Sequence, residues 1–399
     1  MKLPLHVIEG REGLAGLLEI LGANEGLIRF VGGAVRDGML GHQVADIDCA
    51  TLLMPDAVMD RLQRARIKVV PTGIEHGTVT AVLPWGPVEV TTLRRDVSTD
   101  GRRATIAYSD NWQEDASRRD FTINALYADP NTLEITDFFG GLDDLAAHRV
   151  RFIGDPLTRI AEDHLRILRF FRFYARFAYG APDTDALAAC ITRANDLMAL
   201  SRERIAMELL SLLRLPDPGA TVELMENIGI FRPVLPEIVA DGVARLRSVI
   251  ALEAACDILP DAVRRLTALL PPDPGLAEQV AQRLKLSNAQ RKRMMLAAGW
   301  ADTFPQDPRA LGWTYGAESA IDRYLLSGSA GAHAAIALLS SWQRPVFVLT
   351  GKDIIARGVR PGPDVARLLQ AAERQWVAEG FPPIERLNQI ADALVMGRD

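Results

Sequence analysis

The 399-residue chain is 48% hydrophobic and 24% charged, with a net charge of −6, three cysteines and six histidines. Its length allows two or three domains with ample apolar cores, and no apolar run approaches a membrane span. Cys49, Cys190 and Cys256 stand far apart and the histidines fall singly, which argues against a disulfide framework, a CxxC zinc site or HExxH chemistry, and for a reducing cytoplasm.

The opening "MKLPLHVIEGREG" has no apolar h-region, so no secretory signal is expected. "LIRFVGG" at 27–33 predicts a short strand ending in a glycine pair, and "VRDGMLG" after it suits a helix. "DIDCATLL" at 46–53 predicts another strand, and "PDAVMDRLQRARI" at 55–67 an amphipathic helix opened by proline. "GTVTAVLP" and "GPVEVTTLR", joined across Trp85-Gly86, predict an antiparallel hairpin. The polar stretch at 95–110 lacks apolar periodicity and is expected to be a mobile loop. From about residue 156 the pattern is helical, with one further β signal in "RPVFVLT" at 344–350 and proline punctuation at 215–219, 269–275 and 360–363.

The acidic balance argues mildly against a chain coated in nucleic acid, but it hides a local basic surface. From Arg149 to Arg176 there are seven arginines, no lysine and three acidic residues, so any anionic partner should be sought there.

Asp46 and Asp48 are spaced to share one face of a strand. Two such carboxylates are either a solvated strand edge or a Mg²⁺ site completed by substrate phosphates. The context favours the second. Gly32 and Gly33, a dozen residues upstream, leave backbone amides uncovered beside a helix start, and Arg36 follows one turn later. The set suits a nucleoside triphosphate with its metals. Glu89 could share the face of Asp46 and Asp48 or be an exposed hairpin glutamate, and both readings stand.

In "EDHLRILRFFRF" at 162–173, Asp163, Arg166, Arg169 and Arg172 recur every three residues, as a ribbon along one helix. A solvated salt-bridge ladder is the bland reading. The apolar content of the same helix argues that the arginines are partly buried and need anionic or acceptor partners. A carboxylate beside a guanidinium can accept from the amino group and donate to the ring nitrogen of cytosine or adenine. Uracil and guanine would leave buried polar groups unpaired. In "RRDFTINAL" at 118–126, Arg119, Asp120 and Asn124 could contact sugar hydroxyls and phosphate, though an ordinary helix start reads the same way.

"GGAVRD" followed by "DIDCAT" resembles the signature of class II tRNA nucleotidyltransferases, the CCA-adding enzymes of the polymerase-β superfamily. Three further family motifs occur in order. They are a flexible-loop motif from Asp96 through Gly101, Arg102 and Arg103 (with Ala104 where proline is usual), a ribose motif at 118–126 and a nucleobase motif at 162–173. The resemblance is strong over about 27–177 and looser to about 238. It implies an α+β nucleotidyltransferase head at 1–150, a helical neck at 151–215, and an all-α body and tail at 216–399 that binds tRNA. It also implies catalysis by Asp46 and Asp48 with Mg²⁺, and nucleotide binding by Gly32, Gly33, Arg36, Arg119 and Asp120. Asp163, Arg166, Arg169 and Arg172 would read the base. The reaction would add CCA to the tRNA 3′ end from CTP and ATP, releasing pyrophosphate, with the loop at 96–110 helping the change from C to A. Rival readings are a bacterial poly(A) polymerase, an enzyme adding only A, an aminoglycoside nucleotidyltransferase and an inactive RNA-binding protein. "GGAVRD" leans toward CCA addition.

Overall fold

Among the described residues nine strands form two sheets: β1 (Ile28–Val31), β2 (Ile47–Thr51), β3 (Lys68–Gly73), β4 (Thr78–Leu83), β5 (Gly86–Thr92), β6 (Arg94–Thr99), β7 (Ala104–Tyr108), β8 (Leu126–Ala128) and β9 (Ile135–Asp137). The structure is a computed structural model. It describes residues 1–99, 104–301 and 304–397, the side chains of 96–99 and 104–106 excepted. The larger sheet has the order β3-β4-β5-β2-β1-β8-β9. Its neighbours are antiparallel except β2 and β5, which run parallel with Asp48 in register with Glu89. The β4–β5 hairpin forms as its alternating pattern predicts.

Three elements differ from expectation. The stretch at 95–110 is no open loop where it is described. β6 and β7 pair as an antiparallel ribbon, with Arg94 opposite Tyr108 and Arg95 opposite Ala107. In sequence β6 has one apolar residue, so no alternation announces it. The segment at 344–350, expected as a strand, has no ladder partner among the described residues. Val346 and Val348 are exposed, while Leu349 and Phe347 join a core of Ile354, Trp376 and Leu387, so its alternation records burial against helices. β3, unforeseen, is a mostly exposed edge strand whose pairing breaks around Pro71, as expected where a residue donates no amide.

The chain divides into two compact units, residues 1–212 with 227–234, and 213–226 with 235–399. The first holds the sheets and the helices Pro156–Glu162, Arg166–Phe177 and Thr184–Thr192. Rings lock the Arg166–Phe177 helix to the segment after Asp120. Phe121 lies 5.1 Å from Phe173 and 4.9 Å from Phe152, and Phe152 stacks on Phe170 at 5.8 Å. The regular elements of the second unit are all helices among its described residues. At its centre Arg264 bonds Glu253 at 2.6 Å and Asp322 at 2.7 Å, and Arg265 bonds Glu253 at 2.7 Å, so the buried charges are paired. The architecture is thus a mixed-sheet α+β head followed by helices, as expected.

Candidate active site

A cleft of about 490 Å³ in the first unit is lined by Gly32, Gly33, Arg36, Asp48, Arg94, Arg118, Arg119, Asp120, Asn124, Asp163, Arg166, Arg169 and Phe173. Six arginines face three aspartates there, an excess of positive charge suited to a polyanion.

At one end β1 delivers the chain to Gly32, whose φ of +64° and ψ of −119° start the Gly33–Met39 helix. A side chain is disfavoured in that conformation, and a Cβ would lie 3.4 Å from Arg119 Nη1. Arg36 is buried on this helix. Its Nε donates to Asp37 Oδ1 at 2.8 Å and its Nη1 to Asn124 Oδ1 at 2.5 Å, while Phe177 covers its face at 4.3 Å. Burial lowers its pKa, against the pull of Asp37.

Asp48 is partly buried on β2; Asp46 stands exposed one residue before the strand and does not line the cleft. The parallel register places Glu89, itself exposed, beside Asp48. The Asp48 carboxyl is pushed up to about 6, by burial first and then by Glu89, with Arg119 pulling the other way. No group of three or more metal-ligating side chains closes on one point among the described residues.

Arg119 and Asp120 are both in the cleft wall, held differently. Arg119 donates from Nε to the Tyr127 hydroxyl at 3.1 Å and from Nη2 to Asp115 Oδ2 at 3.1 Å. Asp120 accepts from Asn124 Nδ2 and from the Phe121 amide, each at 2.9 Å, and from Arg169 Nε at 2.7 Å. Arg36, Asn124, Asp120 and Arg169 therefore form one hydrogen-bonded chain, which Glu208 extends by bonding Arg169 at 3.4 Å and Arg172 at 2.6 Å. Arg172 does not line the cleft.

The ribbon of four residues expected on one helix is broken. Asp163 follows the Pro156–Glu162 helix with φ −150° and ψ 106°, and the next helix begins at Arg166. The Asp163 side chain accepts from the Leu165 amide at 3.1 Å, the local bonding that draws aspartate out of helices. Its further partner is Arg204, whose Nη2 lies 3.0 and 2.8 Å from the two oxygens. Arg166 bonds Glu162 at 2.5 Å, the Arg159 carbonyl at 2.8 Å and the Arg118 carbonyl at 3.1 Å. Asp163 and Arg166 nevertheless face the same cleft.

Glu162, Arg204 and Glu208 were not singled out by sequence. Asp115 and Tyr127 were not either, although Asp115 precedes Arg118 and Arg119 at helical i,i+3 and i,i+4 spacing, a readable signal. Gly101, Arg102 and Arg103 of the loop motif lie outside the described residues, as do the side chains of Asp96 and Ala104.

Residues 28–151 match the family model of the Poly A polymerase head domain, and residues 181–241 that of a probable RNA- and SrmB-binding site of polymerase A. The chain is 34% identical over 380 residues to CCA tRNA nucleotidyltransferase 1, mitochondrial, of Danio rerio, covering 92% of this chain and 86% of that protein. It is 31% identical over 369 residues to the CCA-adding enzyme of Levilactobacillus brevis, covering 88% and 90%. Its structure resembles that of the Bacillus stearothermophilus CCA-adding enzyme in complex with CTP, with a TM-score of 0.76 at 28% identity over 96% of each chain.

Proposed function

The chain belongs to the CCA tRNA nucleotidyltransferase family, and we propose from that premise how its cleft performs the reaction. The enzyme adds C, C and A to the tRNA 3′ end without a template. The 3′-hydroxyl attacks the α-phosphate of CTP or ATP and pyrophosphate leaves. The observation that carries the assignment of residues is their convergence: Asp48, the Gly32 turn, Arg36, Arg119, Asp163 and Arg166 line one cleft.

The Gly32 and Gly33 turn, Arg36 and Arg119 hold the triphosphate, and Arg119 with Asp120 faces the ribose. Asp120 acts by position, because its oxygens already accept from Asn124, Arg169 and the backbone. Asp163 and Arg166 read the base. Arg204 orients Asp163 through one nitrogen; with the Leu165 amide it fills Oδ1, and Oδ2 keeps a lone pair for a cytosine or adenine amino group. Arg166 has five N–H groups, of which Glu162 and two carbonyls take three, leaving donors for the ring nitrogen. Arg169 and Arg172 support this helix through Asp120 and Glu208.

A carboxylate whose proton affinity is raised by burial and by neighbouring carboxylates suits a cation beside it, and an all-oxygen donor set fits a hard divalent ion. Asp46 and Asp48 would hold Mg²⁺, which when bound lowers the hydroxyl pKa and neutralises charge on the attacked and leaving oxygens. Residues 1–150 serve as the head, 151–215 as the neck and 216–399 as the tRNA-binding body and tail. A cytoplasmic setting belongs to the same reading, supported by three cysteines that stay free thiols. No helix among the described residues is long and apolar enough to cross a membrane.

The test uses tRNA ending at the discriminator base, Mg²⁺, and each nucleotide singly and mixed. Two C and then one A are expected. Long A tails, A addition without C, or no incorporation would overturn the reading.

A further inference from the structure

Asp115, in the first turn of the short Trp112–Ser117 helix, is 1% exposed, and its two oxygens meet donors from four residues. Oδ1 receives Arg118 Nε at 2.8 Å, Arg118 Nη2 at 2.7 Å and the Arg94 amide at 3.3 Å. Oδ2 receives the Tyr127 hydroxyl at 2.7 Å and Arg119 Nη2 at 3.1 Å. Tyr127 in turn accepts from Arg119 Nε at 3.1 Å, so Arg119 is gripped at two nitrogens by a closed triangle of side chains. The third nitrogen, Nη1, is left against the Gly32 turn, 3.4 Å from where a Cβ would stand.

We propose that Asp115 is a positioning residue for nucleotide binding. With Tyr127 it fixes Arg119 against the Gly32 turn, and through the Arg94 amide it ties Arg119 to the root of the β6–β7 ribbon. The alternative partner explains why a grip is needed. Arg119 and Asp48 line the same cleft, so an Arg119 released from Asp115 has a second carboxylate to turn to. Paired there, its charge would be lost to the triphosphate. Arg94, Arg118 and Arg119 all line the cleft, so one buried carboxylate sets the place of three of its basic residues. Asp115 itself does not line the cleft and touches no reacting group.

This inference rests on the nucleotidyltransferase reading, and the experiment separates the two. Asp115→Asn keeps the shape but turns one acceptor into a donor that faces donors, and Tyr127→Phe removes one hydroxyl from the triangle. Both are assayed for the KM of CTP, ATP and tRNA, for kcat, and for CTP binding by equilibrium dialysis without tRNA. Asp115→Asn is expected to raise the KM and dissociation constant of both nucleotides about tenfold, and Tyr127→Phe about threefold, with kcat and the tRNA KM within about twofold. A loss of kcat alone, or nucleotide binding within about twofold of the parent in both variants, would overturn the proposal. If Asp115→Asn does not fold, Tyr127→Phe decides by the same criterion. A parent enzyme that adds no nucleotide to tRNA would fail the nucleotidyltransferase reading instead.

Discussion

Arg204 holds Asp163 by a single nitrogen, which lies 3.0 and 2.8 Å from the two carboxylate oxygens. Asp163 sits outside helical geometry, so no helix fixes its χ angles. Arg204 and the Leu165 amide do so instead. Arg204→Ala should therefore loosen base choice without touching the base-contacting groups. Charge-assisted hydrogen bonds are worth about 1.5–3 kcal/mol, so selection of C and A over U and G should fall roughly tenfold or more. Single-nucleotide incorporation with all four triphosphates measures this, and an unchanged preference would show that Asp163 needs no such support.

Asp48→Asn should abolish incorporation and leave stability unharmed or raised. Asp48 is a charge that burial and Glu89 disfavour, so its removal relieves the folded state while emptying the proposed Mg²⁺ seat of a ligand. With chelator added to both, the variant should melt no lower than the parent. Retained activity, or a clear loss of stability, would contradict the assignment. Glu89→Gln should follow the same pattern more weakly, because Glu89 is exposed.

Glu208 is buried and answers both Arg169 and Arg172. Glu208→Ala would leave two partly buried guanidinium groups short of a counter-charge, at a cost of about 3 kcal/mol. A urea titration checks the size of that loss. Activity should fall too, because Arg169 also holds Asp120, which holds Asn124 and so Arg36. Replacing Arg357, which bonds Asp392 in the second unit, should leave nucleotide KM unchanged and serves as a control.

The parts of the site that local chemistry dictates were readable. The Gly32 turn, Arg36 and Asp48 lie within 17 residues, and the turn demands glycine by its φ of +64°. Period-two alternation placed β4 and β5, and parallel pairing then settled that Glu89 lies beside Asp48. The spacing of Asp163 and Arg166 suggested one helix, and aspartate's bonding to its own backbone overrode it. Arg204 and Glu208 were out of reach because their partners lie about 40 residues away in sequence, and an amphipathic helix names its buried face but not the partner it meets. Five arginines of the basic stretch also proved internally paired. Arg149 and Arg151 meet the buried Asp144, Arg159 and Arg166 share Glu162, and Arg176 meets Asp37.

Acid should destabilise the first unit through two carboxyls. Arginine partners hold Asp115 and Asp120 at about 2 against the cost of burial, with Arg118 and Arg119 acting on the first and Arg169 on the second. Ordinary aspartates titrate near 3.9, so below about pH 4 the unfolded chain binds protons that the folded chain refuses. Stability from these groups is therefore complete above about pH 5 and is lost progressively as pH falls through about 2, by roughly 2–3 kcal/mol for each. Urea midpoints followed from about pH 5 downward should show that decline, and Asp115→Asn or Asp120→Asn should flatten it while lowering stability at neutral pH. A decline of unchanged steepness in both variants would place the acid sensitivity elsewhere.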